Sequence, residues 1–219
     1  MTILRSLRLL TANSLLPCGL IVAAGCSGGP SRVMPPSIDA DDAADDAMNL
    51  YDKDGDGSIA GSELEAAPAL NAAMATLDEN KDGRVQSDEI ATRIESWSAD
   101  GGGGLTAFTG VVTLDGRPID GATVTYDPEP FLGNEVKTAV GVTSALGMMS
   151  PTIPKDQRPE PDWPPGIQTG LFRVRISKEV GGAESIPSRY NAETTLGQEV
   201  SADDPAISGN RVKYALTTK

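Results

Sequence analysis

Two segments decide how this chain is read: Asp52-Lys53-Asp54-Gly55-Asp56-Gly57-Ser58-Ile59-Ala60-Gly61-Ser62-Glu63, and Asp78-Glu79-Asn80-Lys81-Asp82-Gly83-Arg84-Val85-Gln86-Ser87-Asp88-Glu89. Both follow the spacing D-x-[DN]-x-[DN]-G-x5-E. That spacing brings side-chain oxygens from positions 1, 3 and 5, a backbone carbonyl from position 7 and a carboxylate from position 12 around one centre. The donors are all hard oxygens, and Ca²⁺ takes about six to eight of them. Position 6 is glycine in both segments, where the chain must turn with positive φ. The expected ligands of a first Ca²⁺ are Asp52, Asp54, Asp56, Ser58 through its carbonyl, and Glu63. Those of a second are Asp78, Asn80, Asp82, Arg84 through its carbonyl, and Glu89. The first loop offers four carboxylates and the second three, so the first is expected to bind more strongly.

The residues around the loops carry a family resemblance. Ala47, Met48, Leu50 and Tyr51 precede the first loop, and Met74 and Leu77 precede the second. Leu64 and Ile90 follow the two closing glutamates. With these flanks the segment resembles a calmodulin-like EF-hand pair. The resemblance implies entering and exiting helices, and a short β-bridge between Ile59 and Val85 at position 8. Only residues 64 to 77 separate the loops, and Pro68 interrupts them. Proline suits a first helical turn. The exiting helix of the first loop is therefore expected to stop early, with a new helix starting at Pro68. So short a connection argues for a stabilising calcium site rather than a sensor that opens.

The N-terminal end reads as a targeting signal. Arg5 and Arg8 precede a mostly apolar stretch, residues 9 to 24, interrupted by Asn13, Ser14 and Pro17. This is a secretory signal pattern rather than a membrane span. Ile21-Val22-Ala23-Ala24-Gly25-Cys26 resembles a bacterial lipoprotein cleavage site, which implies a signal peptide over 1–25 and lipidation of Cys26. An extracytoplasmic, lipid-anchored protein is expected, at the outer membrane or the periplasmic face. Cys18 lies in the signal, so the remaining chain has no thiol for a disulfide or a metal.

Charge and composition exclude several function classes. The chain has no histidine, which removes Ser-His-Asp and Cys-His catalysis and H-E-x-x-H zinc sites. No acidic pair outside the two loops is marked out for carboxylate catalysis, and no enzyme activity is expected. Of the net charge of −13, residues 37–100 hold 17 acidic and 4 basic groups. Such a module repels nucleic acid.

Organisation follows the punctuation. Residues 26–38 are small and proline-rich and read as a tether. Helices are expected at about 39–51, 61–66, 68–77 and 87–97, with Trp97 packing back as core. Residues 100–105, with four consecutive glycines, read as a linker between 39–99 and 106–219. Beyond it the period becomes two. Phe108, Val112 and Leu114; Val124 and Tyr126; Phe172, Val174 and Ile176; and Val212, Tyr214 and Leu216 each fall on one strand face. The expected fold class is multidomain: a small all-α EF-hand pair followed by an all-β antiparallel sandwich.

The run from Gly110 to Tyr126, with the turns at Asp115-Gly116 and Gly121, resembles the opening of carboxypeptidase-regulatory-like, transthyretin-like domains. Thr138 to Thr143, Gly147, Pro165-Gly166, Leu171 to Lys178, Ile186 to Asn191 and Thr194 to Leu196 continue the match. The resemblance implies a structural or recognition unit, with a protein or glycan as the ligand of the sandwich. Trp163 in the proline-rich insert near 150–166 reads as a loop residue packing on the sandwich or as an exposed aromatic that binds glycan or peptide. Arg173, Arg175 and Lys178 form a basic stripe, read as a solvated sheet face or a docking surface for the acidic module. The function expected is calcium binding in a non-enzymatic structural or recognition protein. The alternative is a calcium sensor or accessory subunit that docks a partner protein or enzyme.

Overall fold

A computed structural model describes residues 33–99, 104–160 and 162–219. Cys26, the signal peptide and most of the glycine linker lie outside the described residues. The helical segment contains α1 (Ala40–Tyr51), α2 (Ser62–Ala66), α3 (Pro68–Ala72), α4 (Met74–Leu77) and α5 (Ser87–Ala99). Strands then follow as β1 (Gly110–Leu114), β2 (Arg117–Pro118), β3 (Thr123–Pro128), β4 (Ala139–Val142), β5 (Met148–Met149) and β6 (Gly170–Ser177). The chain ends with β7 (Glu179–Val180), β8 (Ala183–Glu184), β9 (Gly197–Val200), α6 (Pro205–Ser208) and β10 (Val212–Leu216).

The helices start where local chemistry favours them. The Asp39 carboxylate caps α1 by accepting from the Asp42 amide at 3.2 Å, a bond of the type that stabilises a helix start by about 1 kcal/mol. Asp41 and Asp42 add negative charge to its first turn. Pro68 begins α3 at N1, as expected. The predicted helix over 68–77 is broken at Ala73 into α3 and α4. Ala43, Ala44 and Ala47 are buried on one face of α1. Their small side chains let α1 lie close against α5, which buries Ile90, Ile94 and Trp97.

Two four-stranded sheets make up most of the remainder. One has the order β4-β3-β6-β9 and is antiparallel throughout. The other joins β10 to β1, with β2 and β5 both pairing to β1. A small β7–β8 hairpin stands apart from both. The alternating positions read from the sequence face inward: Val124, Tyr126, Phe172, Val174, Ile176, Val212, Tyr214 and Leu216 are all buried. Tyr126 of β3 and Tyr214 of β10 meet hydroxyl to hydroxyl at 3.0 Å. Tyr126 also packs edge-on against Phe108 and Phe172. The β-rich arrangement is consistent with a sandwich.

The expected fold class is nevertheless wrong. The described residues form one mixed α and β body, mostly β, and among them there is no separate all-α pair. From the end of the first loop to the start of the second, the chain forms three helices of 5, 5 and 4 residues. Helices so short are marginal alone, and a unit of about 60 residues buries too little surface to compensate. They are completed by the sheets. Leu70, Leu77 and Trp97 belong to the same buried core as Val124, Phe172 and Val200, and residues Arg32–Lys219 form one compact unit. The sheets are also not wholly antiparallel, because β1 and β10 pair in parallel from Gly110↔Val212 to Leu114↔Leu216.

Candidate metal-binding loops and their anchorage

Each loop begins where a helix ends. Asp52 is the C-cap of α1 and Asp78 the C-cap of α4, their amides bonding back to Met48 and Met74 at 2.9 and 3.0 Å. Each loop runs into the next helix, so Glu63 lies in the first turn of α2 and Glu89 in that of α5. The helix N-terminus favours a carboxylate there. Between these ends the chain reverses through positive φ at Gly55 and Gly57, and at Lys81 and Gly83. Positions 4 and 6 are thus left-handed in both loops, and Lys81 is the one place where a side chain occupies that region.

The internal hydrogen bonds repeat from loop to loop. Asp52 Oδ2 accepts from the Gly57 amide at 3.0 Å, and Asp78 Oδ2 from Gly83 at 2.9 Å. Asp54 accepts from Asp56 at 3.1 Å, and Asn80 from Asp82 at 2.8 Å. Asp56 accepts from Ser58, and Asp82 from Arg84, both at 2.9 Å. The closing glutamates reach back in the same way. Glu63 accepts from Lys53 at 2.7 Å and Ala60 at 3.1 Å, and Glu89 from Glu79 at 3.1 Å and Gln86 at 3.0 Å. The expected bridge is formed: Ile59 and Val85 exchange amide-to-carbonyl bonds of 2.8 and 3.0 Å and are fully buried.

The loops differ in how their acids converge. Asp52, Asp54 and Glu63 bring one oxygen each within 4.8 Å of one another. Two oxygens bound to one Ca²⁺ at about 2.4 Å lie at most about 4.8 Å apart, so these three fit a shared cation. Asp56 does not join them. Its Oδ1 accepts from the Ser58 hydroxyl at 2.7 Å, and its Oδ2 from the Arg84 guanidinium at 2.9 Å. These bonds, Ser58 first and Arg84 second, hold the Asp56 carboxyl below its usual pKa. Arg84 also donates to Ser58 Oγ at 2.8 Å. Its side chain therefore ties the second loop to the first, a role that its carbonyl position in the pattern does not indicate. In the second loop Asp78, Asp82 and Glu89 do not close into a comparable triad of acids, and Asn80 supplies the oxygen at position 3.

Two buried links fasten this region to the sheets, and neither is visible in any motif. Glu199 of β9 accepts at Oε1 from Arg93 Nε at 2.6 Å and from Trp97 Nε1 at 2.9 Å. Its other oxygen accepts from the Thr76 hydroxyl at 2.8 Å. Arg93 completes its shell with a bidentate pair to Asp203, both bonds 2.9 Å, and a bond to Ser201. Arg93 and Glu199 are 8% and 4% exposed, so this is a buried ion pair between α5 and β9. The second link starts at Tyr51, one residue before the first loop. Its hydroxyl donates to Glu129 at 2.6 Å, and Glu129 is fully buried. Burial raises the Glu129 pKa above the normal carboxylate value. Tyr51 also packs edge-on against Phe131.

The remaining sequence expectations fall as follows. Arg173 and Arg175 lie on β6 and are partly exposed, and Arg175 pairs with Asp127 of β3 rather than with the acidic loops. Trp163 is half-buried, and its carbonyl accepts from Arg158 at 2.8 Å. Among the described residues no helix is long and apolar enough to cross a membrane. Neither the protein-family models nor the curated proteins contain a match to this chain.

Proposed function

We propose that this protein binds Ca²⁺ at both loops and uses it as a structural clamp rather than as a signal. The observation that carries this reading is the repeated internal hydrogen-bond pattern, which orients the acids of both loops at matched positions. The convergence of Asp52, Asp54 and Glu63 supports a cation in the first loop. In the second, Asp78, Asn80, Asp82 and Glu89 would hold it, with the carbonyls of Ser58 and Arg84 serving at position 7 of their loops. A bound divalent cation offsets the mutual repulsion of Asp52, Asp54 and Glu63 in one loop and of Asp78, Asp82 and Glu89 in the other. The Arg93–Glu199 pair supports a clamp over an opening sensor, because it fastens the exiting helix of the second loop to β9.

The proposal extends to a non-enzymatic role in an extracytoplasmic setting, with Cys26 as a lipid anchor. Extracellular sites of this kind bind at about 10⁻⁴ to 10⁻³ M, and a cation at 100 times its dissociation constant adds about 2.7 kcal/mol. Calcium titration of the full chain by calorimetry is expected to show two sites. Glu63→Gln should weaken one of them and Glu89→Gln the other. Heat and melting temperature that do not change up to millimolar Ca²⁺ would overturn the proposal. Normal processing and membrane partition of Cys26→Ser would overturn the anchor.

A further inference from the structure

A cavity of about 390 Å³ lies where the exit of the first loop meets the face of β6. Ala66, Pro68 and Ala192 form an apolar wall. Opposite stand the guanidinium groups of Arg173 and Arg175, two residues apart on one strand and therefore on one face. Their side chains are 42% and 47% exposed. The two arginines are not equivalent. Arg175 gives its Nε–H to Asp127. The Arg173 side chain makes no hydrogen bond among the described residues, and its ion pair there is with Glu129. Its Nε is buried and unpartnered, 3.7 Å from Glu129 Oε2, which instead accepts from Tyr51. A guanidinium offers five N–H donors in a planar fork matched to carboxylate. A guanidinium whose buried N–H has no hydrogen-bond acceptor is unexpected in a chain with a net charge of −13, where carboxylates are plentiful.

We propose that this cavity is a binding site for a small monocarboxylate, held by the Arg173 fork with Arg175 beside it, its short aliphatic body against Ala66, Pro68 and Ala192. The other charges in the cavity select the class of anion. Asp127 and Glu193 also line it, so a single planar negative charge is accommodated. A dianionic phosphate would meet two carboxylates with only Arg173, itself 3.7 Å from Glu129, and the Asp127-bound Arg175 to offset them. The Thr194 hydroxyl is committed to the Val174 carbonyl and adds no donor. The carboxylate could come from the end of an amino-acid chain or from a sugar acid, which share this chemistry.

The test is a titration of the full chain with N-acetyl-alanine, with glucuronate and with inorganic phosphate, followed through the arginine Nε–H resonances. The Arg173 resonance, now without an acceptor, should shift most, with Arg175 next, at probe concentrations of about millimolar. The tighter of the two carboxylates identifies the source. Arg173→Gln should abolish the response at Arg175, and Arg173→Lys should weaken binding about tenfold, since it keeps the charge and loses the fork. The wild-type titration stands on its own if a variant does not fold. No shift with either carboxylate, tighter binding of phosphate, or unchanged affinity in Arg173→Gln would overturn the site.

Discussion

Glu199→Ala is the substitution that most directly tests whether the loop region and the sheets are one body. In the folded protein this carboxylate holds Arg93, Trp97 and Thr76 at 2.6, 2.9 and 2.8 Å. Removing it leaves a guanidinium buried with half its charge partners gone, and an indole N–H without an acceptor. Breaking a buried pair by deleting one member costs about 3–5 kcal/mol. The remaining Asp203 is largely exposed, so solvent screens its share of the compensation. Against a total stability of about 5–15 kcal/mol, the melting temperature should fall by about 6–20 °C. Glu199→Gln keeps the shape and one acceptor and should cost about 1.5–3 kcal/mol, the range of a hydrogen bond to a charged group. The assay is urea unfolding at fixed calcium, read by circular dichroism and by Trp97 fluorescence in a Trp163→Phe background. Both probes should report one shared transition, displaced in the variant. A loss below about 1 kcal/mol, or two separate transitions with the sheet half unmoved, would refute the reasoning.

Other substitutions probe separate parts of the structure. Gly197→Ala would place a methyl 1.9 Å from the Pro68 carbonyl oxygen and 2.6 Å from Ala69 Cα; because backbone atoms cannot step aside, thermal melting should show a loss of about 3 kcal/mol, and a neutral result would mean that α3 does not sit on β9. Lys81→Gly relieves a side chain at φ 61° and should stabilise by about 0.5–1 kcal/mol by denaturant titration; a loss instead would show the strain to be absent. Glu129 has a raised folded-state pKa, so the folded protein binds its proton more tightly than the unfolded chain. Its contribution is therefore most favourable below the ordinary glutamate value and declines as pH rises towards the folded one. Glu129→Gln should flatten the pH dependence of melting above that ordinary value, and an unchanged profile would count against a buried acid there.

The turn geometry of both loops was legible in the sequence, because such a loop is local: its side-chain-to-backbone bonds close within twelve residues and most of its turns are written in glycine. The bridge at Ile59 and Val85 came with it. Period-two alternation likewise marked Val124, Tyr126, Phe172, Val174 and Ile176 as inward, since a strand with one buried face must alternate. Short or weakly patterned elements such as β5 and β9 carried no such signal. The fold class was misread at the run of glycines after Ala99, which in the sequence reads as a boundary between independent units. Whether a flexible linker separates two bodies depends on what the flanking surfaces bury, and that is non-local. Arg93 and Glu199 are 106 residues apart, and Tyr51 and Glu129 are 78 apart. No spacing rule connects such partners, and each alone reads as an ordinary surface charge or a helix-end aromatic. Sequence by itself determined the local turns of the loops and the inward faces of the main strands. Only the tertiary structure decided that the short helices finish their core on the sheets, and that Arg173 and Arg175 share a cavity with Ala66 and Pro68.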